Sequence, residues 1–154
     1  MNFTPTKYKL VNVADGRLFD DDGWTLNDPQ GTAPSLVRAD YENKRFSPCN
    51  YLNGIYRYAD WMPIQRVLEG SCAPVTYVSR GLASFLGLEH LYITFSGWHP
   101  EIGAKMRTCS FKETEAYSVL ARLAPDEKRV LVVQSAGNTA RAFAQVCSDN
   151  NIPV

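Results

Sequence analysis

TCSFKETEAYSVLARL, residues 108–123, predicts a helix with a lysine on its apolar face. Ser110 followed three residues later by Glu113 has the form of a capping box, so we expect the helix to begin at Phe111. Counting forward from Lys112 at helical spacing gives an apolar stripe. Its members are Ala116, Val119, Leu120 and Leu123.

Lys112 is the unusual member of this stripe. Lysine is rarely buried without a partner, and the positive end of the helix dipole disfavours a charged ammonium in the first turn. Both effects would lower the pKa of the Lys112 amine, and a neutral amine is the form that makes a Schiff base. The alternative is a lysine at the edge of an amphipathic face that extends into solvent. For this helix alone, that alternative is the commoner situation.

A buried strand followed by a helix is predicted next along the chain. Residues 129–135, RVLVVQS, are rich in branched apolar side chains, which is typical of a strand covered on both faces. Residues 140–147 predict a helix of small residues with an apolar side made of Ala142, Phe143, Val146 and Cys147. The small polar turn between them, SAGNT at residues 135–139, offers backbone N–H groups and hydroxyls to an anion.

Together these segments resemble the fold-type II enzymes that use pyridoxal phosphate, the family of the tryptophan synthase β subunit. The step SFK at residues 110–112 is similar to their Schiff-base motif, and SAGNT is similar to their asparagine loop, one βα unit later. Further stretches are similar to the cysteate synthase branch, which lies near threonine synthase. They are PVTY at residues 74–77, FSGWHPE at 95–101 and AGNTARAFA at 136–144. The resemblance covers roughly residues 61–154.

The resemblance implies a role for each residue of the two motifs. Lys112 would hold pyridoxal 5′-phosphate as an internal aldimine and would then move the Cα proton of the substrate. Asn138 would hydrogen-bond the 3′-oxygen of the pyridine ring. Ser135, Gly137 and Thr139 would bind the carboxylate of the amino-acid substrate. The cofactor would supply the electron sink, while the protein fixes orientation and charge.

The reaction implied by the cysteate branch replaces the phosphate of O-phospho-L-serine by sulfite, through an aminoacrylate, and gives L-cysteate. One alternative is the threonine synthase reaction, which eliminates phosphate from O-phosphohomoserine and adds water. Threonine synthases usually continue the lysine motif with Asp-Arg, so Glu113-Thr114 argues against that alternative. A second alternative is a non-catalytic module that binds an amino acid or a partner. Lys105 and Arg107 are candidates for a leaving-phosphate pocket, with a solvated surface loop as the favoured alternative.

The resemblance also predicts an α/β protein that is the truncated, N-terminal part of a larger enzyme. The family has two α/β domains, and nothing after Thr139 has the form of its glycine-rich phosphate loop. Residues 152–154 have the form of the start of another strand, so we expect the fragment to be inactive alone and a homo-oligomer when full length. We expect an irregular segment with a short strand over residues 1–58. Residues 59–154 are expected to form a parallel or mixed sheet with flanking helices.

Local patterns predict the remaining elements. The acidic run at residues 20–22 lacks the ligand spacing of a calcium loop, so a solvated turn is expected there. The aromatic stretch at 51–61 is expected to pack against another domain rather than to stack on nucleic-acid bases. The predicted strands are residues 8–13, 75–79 and 91–95, and the predicted helices are residues 35–41, 62–68 and 81–86.

Composition limits the class of protein. The apolar fraction is 45%, and 16 basic residues balance 16 acidic ones, so nothing suggests a nucleic acid or a membrane surface as partner. No secretory signal or membrane span is visible. The four cysteines include no Cys-x-x-Cys pair and the two histidines make no metal set, so we expect no metal site. A reducing cytoplasm is the expected compartment. Cys109, beside the helix start, has a setting that can acidify a thiol, although packed and inert cysteines are commoner there.

Overall fold

Residues 3–154 are described by the computed structural model, in which short strands alternate with helices. The strands pair into a three-stranded sheet of order β2-β1-β3 and two hairpins, β4-β5 and β6-β7. The elements are β1 (Tyr8–Asn12), β2 (Leu18–Phe19), β3 (Val37–Tyr41), a 3-10 helix (Gly54–Trp61), β4 (Val75–Val78), α1 (Arg80–Leu86), β5 (Tyr92–Phe95), β6 (Trp98–His99), a 3-10 turn (Pro100–Ile102), β7 (Ala104–Lys105), α2 (Lys112–Leu120) and α3 (Asn138–Asp149).

The N-terminal sheet confirms one local prediction and corrects another. The strand predicted from Tyr8 is β1, and its Leu10 and Val11 are buried. The helix predicted at residues 35–41 is wrong, because this segment forms β3, paired antiparallel to β1 with Leu10 opposite Ala39. Pairing with a strand more than twenty residues earlier outweighs the weak local helix pattern.

The unit from β4 to β5 has the predicted strand, helix and strand in the predicted order. The relative direction of the two strands differs from the prediction. Val75 lies opposite Phe95, and β4 and β5 run antiparallel. The N–H of Ser79 donates to the carbonyl of Leu91 at 2.9 Å, which closes the ends of the connection. The segment between them is therefore a wide hairpin connection rather than a crossover. All strand pairs within residues 3–154 are antiparallel, so the predicted parallel or mixed sheet is wrong for these pairs.

The main core lies between the 3-10 helix, the segment after it, α2 and α3. Tyr56 of the aromatic stretch is only 1% exposed, and its hydroxyl donates to the carbonyl of Tyr117 at 2.9 Å. This stretch therefore contributes to the chain's own core, although Tyr51 and Tyr58 remain exposed. The helix predicted at residues 62–68 is wrong. The N–H groups of Gln65 and Arg66 both donate to the carbonyl of Ala121, so the segment is tied to the end of α2 instead.

An ion pair joins the N-terminal sheet region to the end of α2. The Asp21 side chain is 2% exposed, and its carboxylate accepts hydrogen bonds from the guanidinium of Arg122 at 2.9 and 3.0 Å. The Tyr8 hydroxyl donates to the same carboxylate at 2.7 Å. The acidic run is therefore not simply a solvated turn, because the partner that buries Asp21 comes from 101 residues later.

The segment before α3 differs from the predicted strand covered on both faces. Leu131 and Val133 pack against the core, whereas Val130 is 60% exposed and Val132 is 86% exposed. Only one face has a layer packed over it, and residues 129–135 are extended without forming a ladder. A backbone hydrogen bond of 3.1 Å runs from the N–H of Leu131 to the carbonyl of Pro153, beyond α3.

Helix α3 itself confirms the prediction. Its apolar side is buried against the core, and the residues on that side are Ala142, Phe143, Val146 and Cys147. Across the described part of the chain, none of the helices has the length and apolar character needed to cross a membrane.

Candidate functional site

The start of α2 is held by a different set of bonds from the predicted capping box. The Ser110 hydroxyl accepts the N–H of Lys112 at 3.2 Å rather than that of Glu113. The Glu113 carboxylate reaches back past Ser110 and accepts the N–H and the hydroxyl of Thr108, at 2.7 and 2.8 Å. The position of the helix start is confirmed to within one residue, and the predicted reciprocal bonds are wrong because Thr108 supplies two better placed donors.

The Lys112 amine lies at the edge of the apolar face and is not buried in it. Its side chain is 34% exposed, and Nζ lies 2.6 Å from Oε2 of Glu115, one turn along α2. Nζ also lies 5.2 Å from the centre of the Phe111 ring. Of the other stripe residues, Ala116, Leu120 and Leu123 are buried and Val119 is half-buried. Of the two alternatives for Lys112, the structure therefore shows the lysine at the edge of the amphipathic face and not the buried amine, and its Nζ is paired there with Glu115.

Directly behind Lys112 lies a buried polar cluster that sequence reasoning missed. Glu113 is 2% exposed and Thr108 is 3% exposed. The Cys72 thiol donates to Oε1 of Glu113 at 3.7 Å, across 41 residues of chain. Burial, followed by the charge and hydrogen bonding of Glu113, raises the pKa of the Cys72 thiol to about 11. The sequence signal was a glutamate three residues after Ser110, which indicated a cap but not its true partners.

The raised pKa of Cys72 gives a prediction for thiol reactivity. At pH 8 the reactive thiolate of Cys72 should be about a hundredfold scarcer than for an ordinary thiol. Iodoacetamide should therefore label the exposed Cys109 first, and labelling of Cys72 should rise with pH up to about 11. Peptide mass spectrometry of the native chain measures both sites, with the buried Cys147 as the unreactive reference. Equal labelling rates at Cys72 and Cys109 at pH 8 would contradict the assignment.

The turn SAGNT forms the entry to α3, with an open N-terminus. Gly137 precedes the first helical residue, Asn138, and no side chain caps the helix. The N–H of Gly137 donates to the Ser135 hydroxyl at 3.3 Å, which holds the turn together. A Cβ placed on Gly137 would meet no atom within 4 Å, so the space beside the turn is open. Ser135, Gly137 and Asn138 are exposed, and Thr139 is half-buried.

The two motifs stand at the N-terminal ends of two helices that pack on each other. The packed faces include Ala116 and Leu120 of α2 and Ala142 and Val146 of α3. Within residues 3–154, no hydrogen bond or ion pair joins Lys112 to the turn at 135–139. The amine is instead engaged by Glu115. The structure thus groups Ser135, Gly137, Asn138 and Thr139 on one turn and places Lys112 on the neighbouring helix.

The other candidate residues have surface roles. Arg107 is half-exposed and donates two hydrogen bonds to the carboxylate of Asp149, at the end of α3. Lys105 is exposed on β7, so the solvated-surface alternative fits both residues. His99 pairs with Glu101 at 2.6 Å. Among the residues that the structure describes, no three histidine, cysteine, aspartate or glutamate side chains are grouped to hold a metal ion.

Grooves on the surface do not coincide with the two motifs. A groove of about 540 Å³ lies beside the N-terminal segment. It includes none of the five predicted site residues and is lined by Phe3, Thr4, Pro5, Thr6, Lys7, Glu42, Asn43, Cys49, Tyr51, Ala59 and Asp60. A smaller groove of about 340 Å³ lies beside β4 and β5 and includes Thr114 of α2.

Comparison with known proteins finds relatives that are cysteate synthases. No family model and no solved structure matches the chain. The cysteate synthase of Methanoculleus marisnigri is 46% identical over 148 residues, which are 96% of this chain and 34% of that protein. The cysteate synthase of Methanothrix thermoacetophila is 53% identical over 122 residues, 77% of this chain and 29% of that protein. That of Methanospirillum hungatei is 42% identical over 149 residues, 97% of this chain and 35% of that protein.

These relatives confirm the resemblance that the two motifs predicted. The chain is similar to cysteate synthases along nearly its whole length and matches an N-terminal portion of such a protein. It spans about a third of the length of these curated relatives. The chain is therefore related to enzymes, and its fold is a small α/β domain with antiparallel strands.

Proposed function

We propose that this chain is the lysine- and asparagine-bearing part of a cysteate synthase that uses pyridoxal 5′-phosphate. The reaction would replace the phosphate of O-phospho-L-serine by sulfite and give L-cysteate. The observation that carries the proposal is the 46% identity to a cysteate synthase over 96% of the chain. A match of that extent spans both Lys112 and the turn at residues 135–139.

The residues of the two motifs fit the chemistry of that cofactor. The Lys112 amine is one-third exposed, so an aldehyde can reach it from solvent. The open N-terminus of α3 presents backbone N–H groups that no side chain of the described chain caps, and such a terminus suits a carboxylate or a phosphate. The exposed Asn138 amide can donate a hydrogen bond to a ring oxygen. Pyridoxal phosphate, when bound, supplies the electron sink for charge that develops at the Cα of an amino acid.

The chain's own groups then have separate tasks. Lys112 binds the cofactor and moves a proton at the substrate Cα. An ammonium has no free electron pair, so Lys112 must first lose a proton. The Glu115 carboxylate, 2.6 Å from Nζ, is the nearest group able to take that proton. Ser135, Gly137 and Thr139 would orient the substrate carboxylate at the positive end of α3.

A longer protein would complete the site and the fold. The hydrogen bond from Leu131 to Pro153 joins the segments on either side of α3. That order supports a βαβ crossover, and with it the parallel sheet of a fold-type II enzyme. The exposed Val130 and Val132 would then face a covering layer. Residues 1–58 and 59–154 would be the two N-terminal regions of a cytoplasmic homo-oligomer.

A chimera tests this function directly. The corresponding third of the Methanoculleus marisnigri cysteate synthase is replaced by this chain, and product is measured with pyridoxal phosphate present. Cysteate that forms from O-phospho-L-serine only when sulfite is added would support the proposal. Threonine from O-phosphohomoserine would instead support the threonine synthase alternative. A folded chimera that forms neither product and fixes no cofactor at Lys112 on borohydride reduction would favour a non-catalytic module.

A further inference from the structure

Glu113 is a buried carboxylate to which neither motif gives a role. Its two oxygens accept three hydrogen bonds, from the N–H and hydroxyl of Thr108 and from the thiol of Cys72. Its place in the first turn of α2 brings the positive end of the helix dipole next to the carboxylate. A carboxylate with three donors and a favourable dipole is fully satisfied although it is buried.

These bonds connect three separate parts of the chain at Glu113, the residue that directly follows Lys112. Cys72 belongs to the segment that leads into β4, Thr108 belongs to the loop after β7, and Glu113 belongs to α2. The loop between Thr108 and Lys112 contains Cys109 at a φ of 53°, a left-handed conformation that few residues other than glycine adopt. We call the hydrogen bonds of Glu113 with Thr108 and Cys72 the Glu113 anchor. The anchor ties Thr108, at one end of this loop, to the first turn of α2, at the other end.

The anchor also determines the direction of the Lys112 side chain. The Glu113 side chain is buried, and consecutive residues of a helix point about 100° apart, so Glu113 sets the direction of Lys112, whose side chain lies at the edge of the apolar face. The Ser110 hydroxyl accepts the N–H of Lys112, and α2 has only nine residues. Without the anchor, the first turn of α2 would lose its side-chain bonds to Thr108 and Cys72, and the end of so short a helix would fray more readily.

We propose that Glu113 is the positioning residue for Lys112, which rests on the proposed role of Lys112 in binding pyridoxal phosphate. Glu113 does not touch the reacting atoms. It holds the first turn of α2 at a fixed rotation through Thr108 and Cys72. The Lys112 amine is thereby kept on the accessible side of the helix, where an aldehyde can reach it.

The test uses the 154-residue chain and two independent readouts. The first is the amount of pyridoxyl group fixed at Lys112 after incubation with pyridoxal phosphate and borohydride, measured by peptide mass spectrometry. Exposed Lys105 and Lys128 are the internal references. The second is hydrogen exchange at the backbone N–H groups of residues 108–114. The variants are Glu113→Ala, the isosteric Glu113→Gln, and Thr108→Val, which removes only the hydroxyl donor.

Glu127→Ala is the matched control. Glu127 is also a shielded carboxylate that accepts backbone and side-chain hydrogen bonds, from Arg129 and Trp24, but it lies beyond the far end of α2. We expect Glu113→Ala to lower the Lys112 to Lys105 labelling ratio about tenfold, the effect of losing buried hydrogen bonds. Glu113→Gln should restore most of the ratio, because the amide oxygen still accepts from Thr108. Glu127→Ala should leave the ratio unchanged.

The outcomes separate this proposal from the function on which it rests. An unchanged labelling ratio in Glu113→Ala, or an equal loss in Glu127→Ala, would overturn the positioning role. If Lys112 of the unsubstituted chain is labelled no more than Lys105, this chain alone does not bind the cofactor, the cofactor role is left to the chimera, and hydrogen exchange alone decides the anchor. Faster exchange at residues 108–114 in Glu113→Ala but not in Glu113→Gln would then support the anchor, and unchanged exchange would overturn it. If Glu113→Ala does not fold, Thr108→Val is compared with Glu127→Ala in its place, and a smaller decrease of the Lys112 to Lys105 labelling ratio is expected.

Discussion

Replacing Lys112 by arginine in the chimeric cysteate synthase is expected to lower cysteate formation by a factor of about a thousand or more. Arginine keeps the positive charge beside Glu115, so the ion pair and the first turn of α2 are retained. Its guanidinium stays protonated in proteins and cannot serve as a nucleophile or a base. The loss therefore measures the chemistry of the amine rather than the charge.

The matched control for this variant is Lys105→Arg. Lys105 lies seven residues before Lys112, is exposed on β7, and has no role in the proposed reaction. This variant should retain the activity of the unmodified chimera within about twofold, as for surface substitutions in general. Cysteate is quantified by mass spectrometry, and borohydride-fixed cofactor is located on the same samples. If Lys112→Arg retains activity close to that of Lys105→Arg, Lys112 is not the cofactor lysine.

Local periodicity made the helical part of this site predictable. The face of α3 formed by Ala142, Phe143 and Val146 follows from a spacing of three and four residues, and the structure buries all three. The start of α2 was predicted to within one residue for the same reason, since a serine and an acidic residue mark helix entries. Short-range signals of this kind are present in any window of about ten residues.

The parts that failed depend on partners distant in sequence. The segment from Val37 to Tyr41 becomes a strand only because β1 lies beside it. Glu113 takes its role from Thr108 and Cys72, and the second of these is 41 residues away. For Lys112 the sequence left burial and an edge position open, and the pairing of its amine with Glu115 could not be read from the apolar stripe. Spacing cannot show which of several nearby acceptors a side chain will choose.

The surroundings of Asp21 could not be predicted from the sequence. Loss of its ion pair with Arg122 has the largest predicted effect on the free energy of unfolding. Replacing Arg122 by methionine keeps the bulk of the side chain but leaves the Asp21 carboxylate, 2% exposed, without its cation. Removing one partner of a buried ion pair costs about 3–5 kcal/mol, and the value here should lie near the lower end because Arg122 is 21% exposed. Urea denaturation of the 154-residue chain measures the free energy of unfolding.

Two further variants identify the cause of that loss. Arg107→Met removes an arginine from an ion pair of similar length with Asp149, but Arg107 is 54% exposed, so the expected cost is below about 1 kcal/mol. Adding Asp21→Asn to Arg122→Met removes the unpaired buried charge. The oxygen of the new amide can still accept from the Gly23 N–H. Part of the lost free energy of unfolding should therefore return. If the loss in Arg122→Met were due to packing alone, the second substitution would lower the stability further. Recovery in the double variant would instead show that an unpaired buried carboxylate causes the loss, because aspartate and asparagine have nearly the same shape and differ in charge.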